Sequence, residues 1–187
     1  TLQVHAINKL RWDASQNAVL INWTSQSGVS NVRSMTAGVL SGSSITWNAS
    51  LEGFGSQFTP DFAVNGEGGG LAVYKLSSTG DMLYKTFTLS GSTVTWGTAT
   101  PISAWVSNVN LPDRHYCVYL GEDGGSHYFA VAYRSGWLGG SMVGKLRILK
   151  WDGQDNVTLG SEADIGNPTS DPGHRLLIDP QLIALEN

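Results

Sequence analysis

Three stretches of the chain share one order of apolar and polar positions. Each opens on a short apolar run: Lys9-Leu10-Arg11-Trp12, Asp61-Phe62-Ala63-Val64 or Tyr116-Cys117-Val118-Tyr119-Leu120. A turn-rich segment follows: Asp13 to Asn17, Asn65 to Gly70 or Gly121 to Ser126. A second apolar run comes next: Ala18-Val19-Leu20-Ile21-Asn22-Trp23, Gly70-Leu71-Ala72-Val73-Tyr74-Lys75 or Phe129-Ala130-Val131-Ala132-Tyr133-Arg134. Further on, Met82 to Leu89 alternates, with Leu83, Lys85 and Phe87 opposing Tyr84, Thr86 and Thr88. Period-two patterns and short apolar runs bounded by Gly, Ser and Asn predict β-strands joined by tight turns.

The clearest internal echo sets Leu40-Ser41-Gly42-Ser43-Ser44-Ile45-Thr46-Trp47 against Leu89-Ser90-Gly91-Ser92-Thr93-Val94-Thr95-Trp96, 49 residues on, with six of eight positions identical. Gly42 and Gly91 stand where a tight hairpin needs positive φ. A weaker copy is Asp155-Asn156-Val157-Thr158-Leu159-Gly160. Each unit therefore reads as four short strands. A period of about 50 residues with four strands predicts an all-β chain built as a β-propeller-like array of four-stranded antiparallel blades. The expected repeats are residues 8–57, 58–108 and 109–166. Partial blade strands are expected at 1–7 and 167–187. Another antiparallel sandwich or barrel is the rival architecture. The array reads either as a four-bladed ring closed by its own terminal strands or as a window on a longer propeller.

An apolar run ending in Tyr or Trp, then Leu-Ser-Gly-Ser-x-Ile/Val-Thr-Trp-Gly/Asn, resembles the propeller-like repeats of bacterial surface proteins, phage tail-fibre proteins and related extracellular adhesins. The resemblance covers most of residues 8–166. It implies an attachment or structural module, and many propellers are lectins. It carries no catalytic or binding residue to a matched position, because its motifs describe hairpins rather than chemistry. The Asp box of sialidase-like propellers is absent: Leu89, Gly91 and Thr93 stand at its Ser, Asp and Gly positions.

Composition agrees with a strand-and-turn protein. Glycine supplies 23 of 187 residues, and charged residues are 14%, against about 25% in an ordinary soluble domain. The net charge of −4 offers no electrostatic footprint for nucleic acid. No apolar run reaches the roughly 18 residues of a membrane helix, so neither nucleic acid nor membrane insertion is expected. The single cysteine, Cys117, excludes an internal disulfide and reads as a buried thiol.

Catalytic and metal chemistry find little support in the spacing. His5, His115, His127 and His174 show no close metal-ligand spacing, although His115 and His127 could meet across a hairpin. The segment Asp152 to Asn156 is too poor in ligands for calcium. The carboxylates Glu52, Asp61, Glu67, Asp81, Asp113, Glu122 and Asp123 mostly lie beside Gly or Pro, where acidic groups solvate turns. No metal and no cofactor is expected, and the chain reads as a non-enzyme.

The candidate contacts are aromatic. Trp12, Trp23, Trp47, Trp96 and Trp151 fall at strand or repeat-equivalent positions and are expected to pack between sheets. Trp105 and Trp137 break the repeat. Trp137 and Leu138 sit in a glycine-flanked insertion just after Arg134. Trp137, Trp105, Leu138 and Arg134 are therefore the candidate contacts to a glycan or an identical subunit. Sequons at Asn22, Asn48 and Asn156 permit glycosylation in a eukaryotic secretory route, and Asn22, inside an apolar strand, is the least suited. The expected function is an extracellular or virion-surface attachment or structural module, able to assemble through exposed edge strands. A glycan-binding propeller lectin and a propeller-scaffold glycoside hydrolase are the rivals.

Overall fold

The computed structural model describes residues 3–27, 30–48, 52–54, 60–76, 79–103, 115–135 and 143–166. The described residues hold fourteen strands in three antiparallel sheets and no helix. The first sheet contains β1 (Gln3–Asp13), β2 (Ala18–Ser27), β3 (Ser30–Ser41), β4 (Ser44–Trp47) and β5 (Glu52–Gly53). The second contains β6 (Asp61–Val64), β7 (Gly69–Lys75), β8 (Met82–Ser90), β9 (Thr93–Trp96) and β10 (Thr100–Ser103). The third contains β11 (His115–Asp123), β12 (Ser126–Ser135), β13 (Val143–Trp151) and β14 (Val157–Gly166).

Each sheet takes its strands from one uninterrupted stretch of chain and places consecutive strands side by side. The fourth position differs between sheets in one respect. In the first, β4 pairs with Gly38–Ser41 of β3, and β5 pairs with Ser34 and Met35 of the same strand. In the second, β9 pairs with Phe87–Ser90 of β8, and β10 with Met82–Tyr84. In the third, β14 spans both halves unbroken, with a register shift between its pairings to Leu149 and Arg147. The pairing of the outer strand is interrupted at the same place in each sheet, by a break in two and a register irregularity in the third.

The echoed segments form equivalent hairpins. Leu40 pairs with Ile45 and Leu89 with Val94, and Gly42 and Gly91 turn the chain at φ 59° and 57°. The amino end departs from expectation. Residues 3–7 do not form a strand of a preceding unit. They continue β1 and pair along β2 as far as Trp23–Gln26. The expected strand at 167–187 lies outside the described residues.

The sheets stack face to face, with the second in the middle. One core sets Leu20, Met35, Ala37 and Phe54 of the first sheet and its following loop against Phe62, Ala72, Tyr74, Leu83, Phe87 and Leu89 of the second. The other sets Ala63, Leu71, Val73, Met82 and Ile102 of the second against Cys117, Phe129, Val131, Tyr133, Leu149 and Trp151 of the third. The middle strand β7 therefore buries all seven residues, its apolar run Gly69 to Tyr74 and the Lys75 that ends it. Glycine lets the layers close: a Cβ on Gly69 would stand 2.7 Å from the Trp151 ring.

The tryptophans divide. Trp151 is buried between sheets, and Trp96 packs edge-on against Phe54 across the first interface. Trp12 and Trp47 do not pack between sheets as expected. They lie on edge strands of the first sheet and face away from the second, so their rings stay exposed.

Candidate functional site

Three of the residues singled out by sequence, Trp105, Trp137 and Leu138, lie outside the described residues. Arg134 is placed only by its backbone, which pairs with Gly144. All three sequon asparagines donate from their side-chain amides. Asn22 is fully buried and donates to the Pro60 carbonyl, which leaves no access for a glycosyl transfer. Asn48 donates to the Ser92 carbonyl at 2.8 Å. Asn156 is exposed and donates to Asp152 Oδ2 at 2.7 Å. That bond and two backbone N–H donors hold the Asp152 carboxyl below the usual carboxylate range.

His115 and His127 do not meet. The register pairs His115 with Tyr133 and His127 with Glu122, at opposite ends of the β11–β12 hairpin. His127 instead joins the second sheet to the third. Asn65 Oδ1 accepts from the backbone N–H groups of Glu67 and Gly69, both at 2.9 Å, so its amide nitrogen points at His127. That nitrogen donates to His127 Nε2 at 3.2 Å, which leaves Nδ1 as the protonated nitrogen, facing the Tyr119 hydroxyl at 3.2 Å. No group of three or more metal-ligating side chains occurs among the described residues.

Asp61 has a structural role. Its Oδ1 lies 2.5 Å from Lys9 Nζ, and its Oδ2 accepts from the Cys117 backbone N–H at 2.6 Å. Lys9 also donates to the Cys117 carbonyl at 3.1 Å. The first strands of all three sheets are thus fastened at one point by one ion pair. Burial, the first cause, and the Asp61 charge push the Cys117 thiol far up, so it is an inert core group.

The densest ionisable cluster among the described residues lies at the rim between the second and third sheets, and sequence reading missed it. Register aligns Tyr133, Lys145 and Asp164 across β12, β13 and β14, with Arg147 and Glu162 in the next row. Tyr133 donates to Glu162. Lys145 lies 3.2 Å from Glu162 and also bonds Asp164, and Arg147 donates to the Ile102 carbonyl of β10. Burial, and then the Glu162 hydrogen bond, push the Tyr133 hydroxyl far up. Burial would raise Glu162 too, but the bonds from Tyr133 and Lys145 with the nearby cations outweigh it and hold the carboxyl below its ordinary value. Near neutrality the pair is therefore a phenol donating to a carboxylate, an ionisation state that fits a base or an ion-pair partner and not a general acid.

A pH dependence follows. Because the folded-state carboxyl is depressed, its contribution to stability is full above the ordinary glutamate range of about 4.3. It is lost as pH falls through the lower folded value. Glu162→Gln is expected to lower the urea midpoint near neutrality and to flatten its acid limb. An acid limb identical to the parent's would show that the cluster does not stabilise the rim.

The remaining feature is the outward face of the first sheet. Trp12 pairs with Val19, Val19 with Gly38, and Gly38 with Trp47, a row four strands wide, or about 14 Å at 4.8 Å per strand. The Trp47 ring lies over Gly38, where an added Cβ would stand 2.6 Å from it. Leu10 and Ile45 extend the face. Exposures are 54% for Leu10, 42% for Trp12, 38% for Ile45 and 43% for Trp47. Singly exposed apolar groups are ordinary; these four share one sheet face.

Comparison with protein-family models, with curated proteins and with solved structures returns no match.

Proposed function

We propose that the chain is a non-enzymatic attachment or structural module of a cell or virion surface, its three sheets being successive blades of a propeller-like array. Three features support the blade reading. The strand order is the same in each sheet, the pairing of the outer strand is interrupted at the same place, and the first strands gather at Lys9, Asp61 and Cys117. The observation that carries the module reading is the uncharged aromatic face of the first sheet, at Leu10, Trp12, Ile45 and Trp47. Apolar rings left to water on a strand-built scaffold serve contact rather than core.

One observation favours a second reading. Trp12 and Trp47 are exposed rings at the two edges of one face, an arrangement that can stack on sugar rings as a lectin does. The discriminating experiment pairs surface labelling of intact source cells or particles with a glycan array probed by the purified chain. Surface labelling without glycan signal supports the module. Glycan binding lost in Trp12→Ala and Trp47→Ala converts it to a lectin. Recovery only from the cell interior overturns both.

A further inference from the structure

Both internal interfaces follow one rule. Each sheet turns the face bearing the aromatic near the end of its second strand toward the sheet before it. Tyr74 of the second sheet lies in the first core, and Tyr133 of the third lies in the second core. The receiving surface is each time the opposite face of the preceding sheet. The first sheet presents the aromatic-bearing face as well. Alternation along β2 puts Val19, Ile21 and Trp23 opposite Leu20 and Asn22, and Leu20 faces the second sheet. The third sheet presents the receiving face. Tyr116 and Val118 pair with Ala132 and Ala130, which pair in turn with Leu146 and Ile148, and none of these belongs to either core.

The chain therefore carries both halves of the contact it makes twice internally, one on each outer layer. From this continuity with its own interfaces, and resting on the module reading above, we infer that the partner of the exposed face of the first sheet is the outward face of the third sheet of a second copy. The contact is head-to-tail: two different surfaces meet, so it propagates into a ring or filament instead of stopping at a symmetric pair. The described outward positions of the first sheet carry no charge, and the charge that β13 offers on the receiving face, Lys150, stands at the end of the row beyond Ile148, its ammonium 5.7 Å from the Tyr128 ring centroid. The apolar side chains of the two faces match in kind, with Trp12 and Trp47 as the large anchors that association surfaces favour.

The test uses the full chain in sedimentation velocity over a dilution series. Trp12→Lys with Trp47→Lys blocks one face, and Leu146→Lys with Ile148→Lys blocks the other. Far-ultraviolet circular dichroism and urea midpoints confirm that each variant folds, and milder Ser substitutions replace any that does not. The parent is expected to sediment at multiples of the single-chain mass, rising with concentration. Each blocked variant alone is expected at the single-chain mass. An equal mixture of the two is expected to stop at twice that mass, because only one competent contact survives per pair.

A parent that stays monomeric throughout overturns the inference, whether a longer chain, another segment of this one or no partner covers the faces. Association that survives in either blocked variant overturns it equally. A monomeric chain recovered at the cell or particle surface leaves the module reading standing, while a self-associating chain recovered only from the interior defeats that reading and not this one.

Discussion

Gly70→Ala is expected to cost about 3 kcal/mol or more of unfolding free energy, the upper end of what overpacking a core does. A Cβ at Gly70 would stand 2.2 Å from the Ala63 carbonyl oxygen and 2.4 Å from the Phe87 ring. The carbonyl belongs to β6, which pairs with β7 on one side, while β8 pairs on the other and brings Phe87 beside Gly70. The phenyl ring is buried in the first core. Neither obstacle can yield without opening a sheet with apolar layers on both faces. Gly66→Ala is the control. Nothing lies within 4 Å of its built Cβ, and only φ of +79° opposes the change, for about 1–2 kcal/mol of strain. Urea denaturation of both variants checks the pair. Equal midpoints would mean that β6 and β7 do not lie against each other as described.

That glycine was visible in the sequence only as the junction of a turn-rich run and an apolar one, and the reason applies across the fold. Hairpin chemistry is local, so Ser41 to Ser44 and Ser90 to Thr93 could be read directly from Gly42 and Gly91. All-β character followed from alternation in the same way. Facing is less forgiving, because a slip of one residue moves a whole strand to the other side. Aligning Ala18–Trp23 with Gly70–Lys75 residue by residue sets Val19 against Leu71, yet Val19 faces outward and Leu71 lies in the second core. The equivalence that respects the faces sets Trp23 against Tyr74 and Tyr133. The same limit explains Trp12 and Trp47: a tryptophan on a strand packs inward or outward by register and strand order, and neither is written at the residue itself.

The charged clusters were harder still to foresee. Lys145 and Arg147 are two apart, as are Glu162 and Asp164, which hints at two strands offering charge on one face. Their meeting depends on the β13–β14 register and its irregularity, which no local motif announces. Asp61 stood in the sequence as one carboxylate among seven. Its partners come from strands 52 residues before it and 56 after it, and only the stacking of three sheets brings them together.

The largest polar effect should arise at that junction. Asp61→Ala is expected to destabilise by about 3–5 kcal/mol, the range for breaking a buried pair by removing one partner. Side-chain exposure is 14% for Lys9 and 12% for Asp61, so water reaches the pair only at its edge and replaces the lost carboxylate poorly. The variant leaves the Lys9 ammonium without its counter-charge, 5.7 Å from the Phe62 ring centroid, and strips the Cys117 N–H of its acceptor. Asp61→Asn separates the two losses, because an amide oxygen can still accept from Cys117 while the charge is gone. Lys9→Met keeps the apolar stem and leaves the carboxylate alone. The double variant Lys9→Met with Asp61→Asn buries no charge and keeps the backbone acceptor, so it should be more stable than the sum of its parts by about 1–3 kcal/mol. Urea denaturation of the four proteins completes the cycle. Strict additivity would mean that Lys9 and Asp61 do not act as a pair and that the three first strands are joined by packing alone.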